Sequence, residues 1–420
     1  MLGSRRTISS AGMPTDVAVV QVLFPVIVIA QYAYTFAFNH LDTSLRHPWA
    51  GALALLHVLL ALMALVNRPR AWNLLILAGG LLMSLCWVLS YGFNFQDPAA
   101  AARGASMELG LKAIGVYAMA IWILSYADLL PIRLLRGVVI VTIILGALIA
   151  LTGPPATRTA GVEVWASITG RTFFPWTPGI HASAYFMLLN VFLLDQMRRY
   201  NLVPAAVAWP LFALGTVVAL GYQSRTAWLM LALYAGYSVY HAARNIAAIR
   251  ALFFAALGLT LVGFVAYLTH TNESLVSLGS GRIGNYIHRW EVLSSRDLAP
   301  LMFGTGIGSD WFVSPIWSWK FSNSHSDIIH TMIETGIVGL VALGLVLVGL
   351  YRSLPGPAKN FFYVLVISGL ITNGLLMHVS TIPYFFLAAA LPTAIAAGNA
   401  AFVRPDVRPD VRPGRSVDAE

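Results

Sequence analysis

The chain has 420 residues, of which 58% are hydrophobic and only 10% charged, and its formal net charge is +9. A soluble domain carries roughly 25% charged residues, so this composition cannot cover a water-soluble surface. The positive balance does not indicate a nucleic-acid partner, because the arginines fall in the connectors between long apolar blocks, where they orient a membrane protein.

Arg5 and Arg6 precede a long first apolar block with no small-residue cleavage site after it, which reads as a retained span. A span needs about 20 apolar residues. In chain order the blocks run Val17 to Phe38, Trp49 to Val66, Trp72 to Tyr91, Met107 to Tyr126, Gly137 to Leu151 and His181 to Leu194. The second half continues with Val203 to Leu220, Ala227 to Tyr240, Ala251 to Leu268, Ile328 to Leu350, Phe361 to Met377 and Ile382 to Gly398. The expected fold is all-α: a polytopic transmembrane helix bundle of about twelve spans. The fifth and eighth blocks are short. The single cysteine, Cys86, lies inside the third block and can form no intrachain disulfide.

With the N-terminus cytoplasmic, the inner connectors hold Arg5/Arg6, Arg68/Arg70, Arg133/Arg136, Arg198/Arg199, Arg244/Arg250, Arg352/Lys359 and the arginines of the tail. Each inner connector then has at least a basic pair, and a slip of one span would destroy the alternation. Both termini are expected to be cytoplasmic. Residues 1–403 form the transmembrane domain, with long outer loops at 152–180 and, between spans nine and ten, at 271–324. The tail 404–420, opening RPDVRPDVRPGRS, has the composition of a disordered basic segment.

Charge within the blocks is sparse. Glu108, Lys112, Asp128 and Asp195 fall at span ends, and no chain of carboxylates crosses the bilayer. The outer loops carry the candidate chemistry. On a helix, Arg282, Asn285, Arg289 and Arg296 lie near one face, with Ile283, Tyr286, Ile287, Trp290 and Leu293 on the other. That pattern suits an interfacial helix with its apolar side in lipid and its arginines toward water or an anion such as a diphosphate. A plain loop anchored by Trp290 with snorkelling arginines is the other reading. FGTGIGS, residues 303–309, lacks a preceding strand, so it reads as a tight turn after Pro300 rather than a nucleotide loop.

In SNSHSDIIHTMIETGIVGL, Ser324 and Asp327 have capping-box spacing, which would start the tenth span and place His325 at the first helical position. The helix dipole there disfavours imidazolium, leaving a neutral base. The same helix N-terminus attracts phosphate. His330 and Glu334, four residues apart, can touch. His325, Asp327 and His330 do not share one helical face, which argues against a metal site. The bland role for His325 is an interfacial polar residue near the cap. Arg225 in GYQSRTAW and Arg171 in TGRTFFPW sit at outer span ends, as anchors or as ligands for an anion.

Taken in order, these segments resemble the O-antigen ligase and O-antigen polymerase family of bacterial membrane glycosyltransferases. TGRTFFPWTPGIHASAY is similar to its arginine-bearing segment before a mid-chain span, and SRTA to its SR-small motif. SGR…W…P…GxGxG precedes the terminal signature, where His325, Ser326, Gly336 and Gly339 fit H-[NSQ]-x9-G-x2-G. The resemblance covers roughly Arg171 to Leu350, and the first five spans carry no matching motif.

It implies transfer of a glycan from an undecaprenyl-diphosphate carrier to an acceptor sugar hydroxyl at the periplasmic face of the bacterial inner membrane, without cofactor or metal. His325 would be the base. Arg225, Arg282, Arg171 and Arg289 would hold the diphosphate, and Asp327, His330 and Glu334 would support them. The acceptor would be a lipid-linked repeat unit, in a polymerase, or lipid A–core, in a ligase. Membrane lipids and other polysaccharide-assembly proteins would be the remaining partners. A transporter or lipid-linked sugar flippase is the reading from another class.

Overall fold

The computed structural model describes residues 14–40, 46–93, 106–152, 180–222, 224–242, 282–310, 312–315, 324–371 and 382–398, with isolated positions at 246, 248, 251 and 255. Most of the expected ninth span, the tail from 404, nearly all of the outer loop 152–180, and positions 271–281, 311 and 316–323 of the larger outer loop lie outside the described residues.

Among the described residues there are thirteen α-helices and no strand. They are α1 (Thr15–His40), α2 (Arg46–Asn67), α3 (Ala71–Gly92), α4 (Ser106–Ser125), α5 (Ile132–Thr152), α6 (Ile180–Arg199) and α7 (Ala205–Gly221). There follow α8 (Arg225–Ala242), α9 (Arg282–Ser294), α10 (Leu298–Phe303), α11 (Asp327–Ser353), α12 (Lys359–Ile371) and α13 (Ile382–Ala396). Five of them, α1, α2, α3, α5 and α11, are long and apolar enough to cross a membrane. Bulky side chains such as Val22, Leu55, Leu81 and Val88 are more than half exposed along their outer faces, as a lipid-facing surface requires. The chain is a helical membrane-type protein.

Helix α5 begins at Ile132, before the expected Gly137, because Arg133 and Arg136 join its first turns. Pro69 ends α2, and the Leu354–Pro357 segment ends α11, since the residue before a proline is pushed out of helical backbone. α6 and the first ten residues of α13 are buried nearly all round, which makes these two the central helices.

Among the described residues, α3 and α11 pack with their backbones in close approach. A Cβ on Gly79 would lie 2.5 Å from the Ala342 carbonyl oxygen, and one on Gly349 would lie 2.8 Å from Ile76 Cγ1 and 3.0 Å from the Trp72 carbonyl. Lipid tails are as apolar as the side chains, so helices in a membrane associate by packing, and glycine lets the backbones meet.

Asp16 accepts the Tyr126 hydroxyl at 2.9 Å. Arg68 pairs with Asp128 at 2.5 Å and stacks 4.4 Å over the Tyr126 ring. Arg136 donates to the Leu202 carbonyl at 3.1 Å, and α13 packs on both 3-10 turns, 127–129 and 356–358. These contacts gather the connectors 68–70, 126–131, 200–204 and 354–358 at one end of the bundle. α11 leaves that end and runs about 40 Å, so its first residues stand at the other.

Candidate functional site

The site lies where α9, the glycine loop after α10 and the start of α11 meet. The expected helix boundary is corrected here. The cap of α11 is Ser326, not Ser324, and His325 precedes the helix instead of opening it. The first helical bond runs from the His330 amide to the Ser326 carbonyl at 2.9 Å. No capping box forms, because the Ser324 hydroxyl is turned to Asp310 and Ser326 makes no side-chain cap bond.

His325 has φ +55°, in the left-handed region that a non-glycine residue occupies only when its surroundings hold it there. Two groups do so. The Tyr286 hydroxyl of α9 donates to the His325 carbonyl at 2.9 Å. On the other side, Ser324 gives both its amide and its hydroxyl to Asp310 Oδ2, each at 2.8 Å.

Asp310 is fully buried and is the hub of the site. Arg289, also fully buried, donates Nη1 to the Asp310 carboxylate and, at 2.7 Å, to its carbonyl. The same guanidinium bonds Asn285 at 3.2 Å and lies 4.0 Å over the Phe312 ring. Burial pushes the Arg289 pKa down, and the Asp310 charge opposes that shift. His330 Nδ1 is 3.0 Å from Asp310 Oδ2, and its Nε2 is 3.4 Å from Glu334. The expected His330–Glu334 contact is thus present, with Asp310 added on the far side of the ring. Glu334 also accepts the Gly308 amide at 2.8 Å.

Helix α9 is amphipathic, but Asn285 and Arg289 of the expected polar face are both fully buried. Asn285 and Arg289 point into the protein, whereas Ile287 and Trp290 are 49% and 62% exposed and Leu293 is buried. The anion that Arg289 meets is a carboxylate of the protein itself. The exposed surface of α9 consists of Ile287, Trp290, Glu291 and Ser294 among the described side chains.

The glycine loop does structural work that the sequence did not show. Residues 298–303 form α10, and the turn begins at Gly304, not directly after Pro300. Gly304, Gly306 and Gly308 all have φ between +77° and +91°, a conformation that only glycine adopts without strain. Their backbone docks on a break inside α11 at Gly336, with φ +69° and ψ −164°. The Thr305 amide bonds the Ile333 carbonyl and the Gly306 amide bonds that of Glu334, both at 3.1 Å. Arg296 adds Nη1 to the Ile333 carbonyl and Nη2 to the Thr305 hydroxyl, each at 3.0 Å. A broken helix at membrane depth is tolerated only where its carbonyls are satisfied by protein, and here they are.

Of the candidate residues, the structure brings His325, Asp327, His330, Glu334 and Arg289 into this corner. The Asp327 carboxylate is buried in the first turn of α11 and packs on Gly369 of α12, where a Cβ would lie 2.3 Å from Oδ2. Arg282 opens α9 and Arg225 opens α8, and both are placed by their backbones alone. Tyr234, farther along α8, bonds Asp195 at 2.8 Å near the end of α6. Arg225 is about 14 Å of helix away from Tyr234, at the same end of the bundle as the site. Arg171 lies outside the described residues. Among the described residues no three metal-ligating side chains are arranged to hold a metal ion.

Sequence reasoning missed Asp310, and it put Arg296 on the helical face with Arg282, Asn285 and Arg289, whereas the helix ends at Ser294 and Arg296 bonds the break in α11. The available signal for Asp310 was its place as the lone carboxylate between a glycine turn and the aromatic pair Trp311–Phe312. A charge in such a setting needs a buried partner. No protein-family model matches the chain, and no curated protein matches its sequence.

Proposed function

We propose that the protein is a membrane glycosyltransferase of the O-antigen ligase and polymerase type, using a glycan carried on a polyprenyl diphosphate. The observation that carries this reading is His325, held in a left-handed conformation from both sides at the mouth of a helical membrane bundle. Such strain clusters at active sites and ligand clamps. The proposed topology has about twelve spans with both termini cytoplasmic. The connectors bearing Arg68, Arg133, Arg136, Arg198, Arg199 and Lys359 then face the cytoplasm, and His325 faces the periplasm.

In this mechanism an acceptor sugar hydroxyl attacks the anomeric carbon, a new C–O bond forms, and the bond to the diphosphate oxygen breaks. His325 takes the hydroxyl proton. Arg225 and Arg282, with Arg171, would stabilise the charge that grows on the leaving diphosphate. Arg289, bonded to Asp310, holds the glycine loop against α11 and so shapes the site rather than meeting the diphosphate directly. Polymerisation of O-antigen or exopolysaccharide repeat units is preferred over transfer to lipid A–core. Loss of chain elongation in a deletion strain supports the polymerase, and long chains accumulating on the carrier support the ligase.

The test is purified protein supplied with a polyprenyl-diphosphate oligosaccharide, with released carrier measured. Wild type should release it, and His325→Ala and Arg225→Ala should not, while both variants still insert in the membrane. Normal product from both variants would sink the assignment. The broken helix is a feature that secondary transporters share, which favours the transporter reading over any other alternative. Yet the Ile333 and Glu334 carbonyls at the break are bonded by Thr305, Gly306 and Arg296, so they are not open to coordinate an ion.

A further inference from the structure

We infer that Asp310 is a positioning residue: it sets the orientation of the His325 imidazole through Ser324, with Tyr286 as the opposing clamp. The inference rests on the proposed role of His325 and goes beyond it, because Asp310 is placed about fifteen residues upstream of the histidine it controls and outside the motif that contains it.

The geometry has three parts. First, both hydrogen-bonding groups of Ser324 end on one oxygen of Asp310, at 2.8 Å each. The residue before His325 is therefore tied down at its amide and its side chain together. Second, the carbonyl leaving His325 is fixed by the Tyr286 hydroxyl at 2.9 Å. With Ser324 tied down before it and its own carbonyl held after it, His325 keeps φ at +55°, a region that a free chain would leave. Third, Asp310 cannot turn away. Arg289 grips its other oxygen and its carbonyl, and His330 stands 3.0 Å from the oxygen that Ser324 uses. Ser324, Asp310 and Arg289 are all fully buried, so water does not compete for these bonds.

A base that must meet an acceptor hydroxyl depends on such fixing, since a misplacement of about 1 Å can cost roughly 100-fold in rate. Ser324→Ala and Tyr286→Phe each remove one hydroxyl of the clamp and leave the buried Arg289–Asp310 pair intact, so both should fold. Asp310→Asn tests the hub itself. Two quantities are read in each variant of the full chain: steady-state carrier release, and backbone hydrogen exchange of residues 324–328.

The expected result is faster exchange in that segment together with a fall in kcat of about 10- to 100-fold and a change in donor KM of less than about twofold. Unchanged exchange and kcat in both Ser324→Ala and Tyr286→Phe would overturn the inference. So would faster exchange with full kcat, or a loss carried wholly by KM. A protein that releases no carrier even as wild type refutes the glycosyltransferase reading instead. Exchange in the three variants then decides the positioning alone.

Discussion

Gly336→Ala should be among the most damaging single-methyl substitutions in the chain. The wild-type residue has φ +69° and ψ −164°, a region essentially closed to residues with a Cβ, so the backbone alone costs about 1–3 kcal/mol. A Cβ built there would lie 2.3 Å from the Met302 carbonyl oxygen, 2.4 Å from its carbon and 2.6 Å from the Gly304 amide nitrogen. All three atoms are backbone, so no side chain can swing aside. Relief requires the glycine loop to move off α11, which breaks the bonds from Thr305 to Ile333 and from Gly306 to Glu334. Each is worth about 0.5–1.5 kcal/mol, bringing the expected loss to about 2–6 kcal/mol. The control is Gly344→Ala in the same helix, where nothing lies within 4 Å of the added Cβ and φ is ordinary. That change should be neutral or stabilise by up to about 1 kcal/mol. Thermal unfolding of the two variants in the same detergent provides the comparison. Equal midpoints would refute the claim that the break is held by backbone contact.

Arg289→Met should destabilise by about 3–5 kcal/mol, because it leaves the Asp310 carboxylate buried without its main cation. Adding Asp310→Asn should restore part of the loss, and the same unfolding assay reads both. Gly79→Val should reduce folded yield sharply, since its Cβ position is 2.5 Å from the Ala342 carbonyl; Gly51→Ala, with nothing within 4 Å, should behave as wild type in size-exclusion profiles. A spin label at Ile287→Cys should be more accessible to oxygen than to an aqueous nickel reagent, as expected of a lipid-facing position on α9. Cys86 is buried and should not label. The opposite accessibility would remove α9 from the membrane interface.

Apolar blocks and proline stops made the helices readable from sequence: α2, α3, α11 and the start of α13 fall within a few residues of the expected spans. That legibility follows from the bilayer, which demands long apolar helices with all backbone bonds made internally. The amphipathic α9 was legible for the same reason, by period alone. The direction of its polar face was not, because that depends on Asp310, a partner 21 residues away from Arg289. The start of α11 was misread by two residues because local spacing matched a capping box, whereas a distant carboxylate had captured Ser324. The break at Gly336 was hidden too. A glycine in an apolar run reads as ordinary membrane helix, and only the loop docked against it reveals the positive φ.

α11 is anchored at three levels, and the levels differ in chemistry. Its lower half is fixed by close backbone approach to α3 through Gly79 and Gly349. Its middle is fixed by the glycine loop on the Gly336 break, mostly through backbone groups, with Arg296 and the Glu334 carboxylate adding charged contacts. The top, at Ser324 and His325, is held through a cluster of titratable groups, Asp310, Arg289 and His330, and His330 links that cluster to Glu334 at the middle level. The top and middle anchors share His330 and Glu334, whereas the α3 contacts of the lower half involve neither. Sites more than about 7–10 Å apart with no shared partners act independently. A substitution at Asp310 should therefore loosen 324–328 while leaving the exchange protection of 342–350 as in wild type. Loss of protection in both segments would show that the three anchors form one cooperative unit, and that the charged hub supports the span itself as well as the histidine above it.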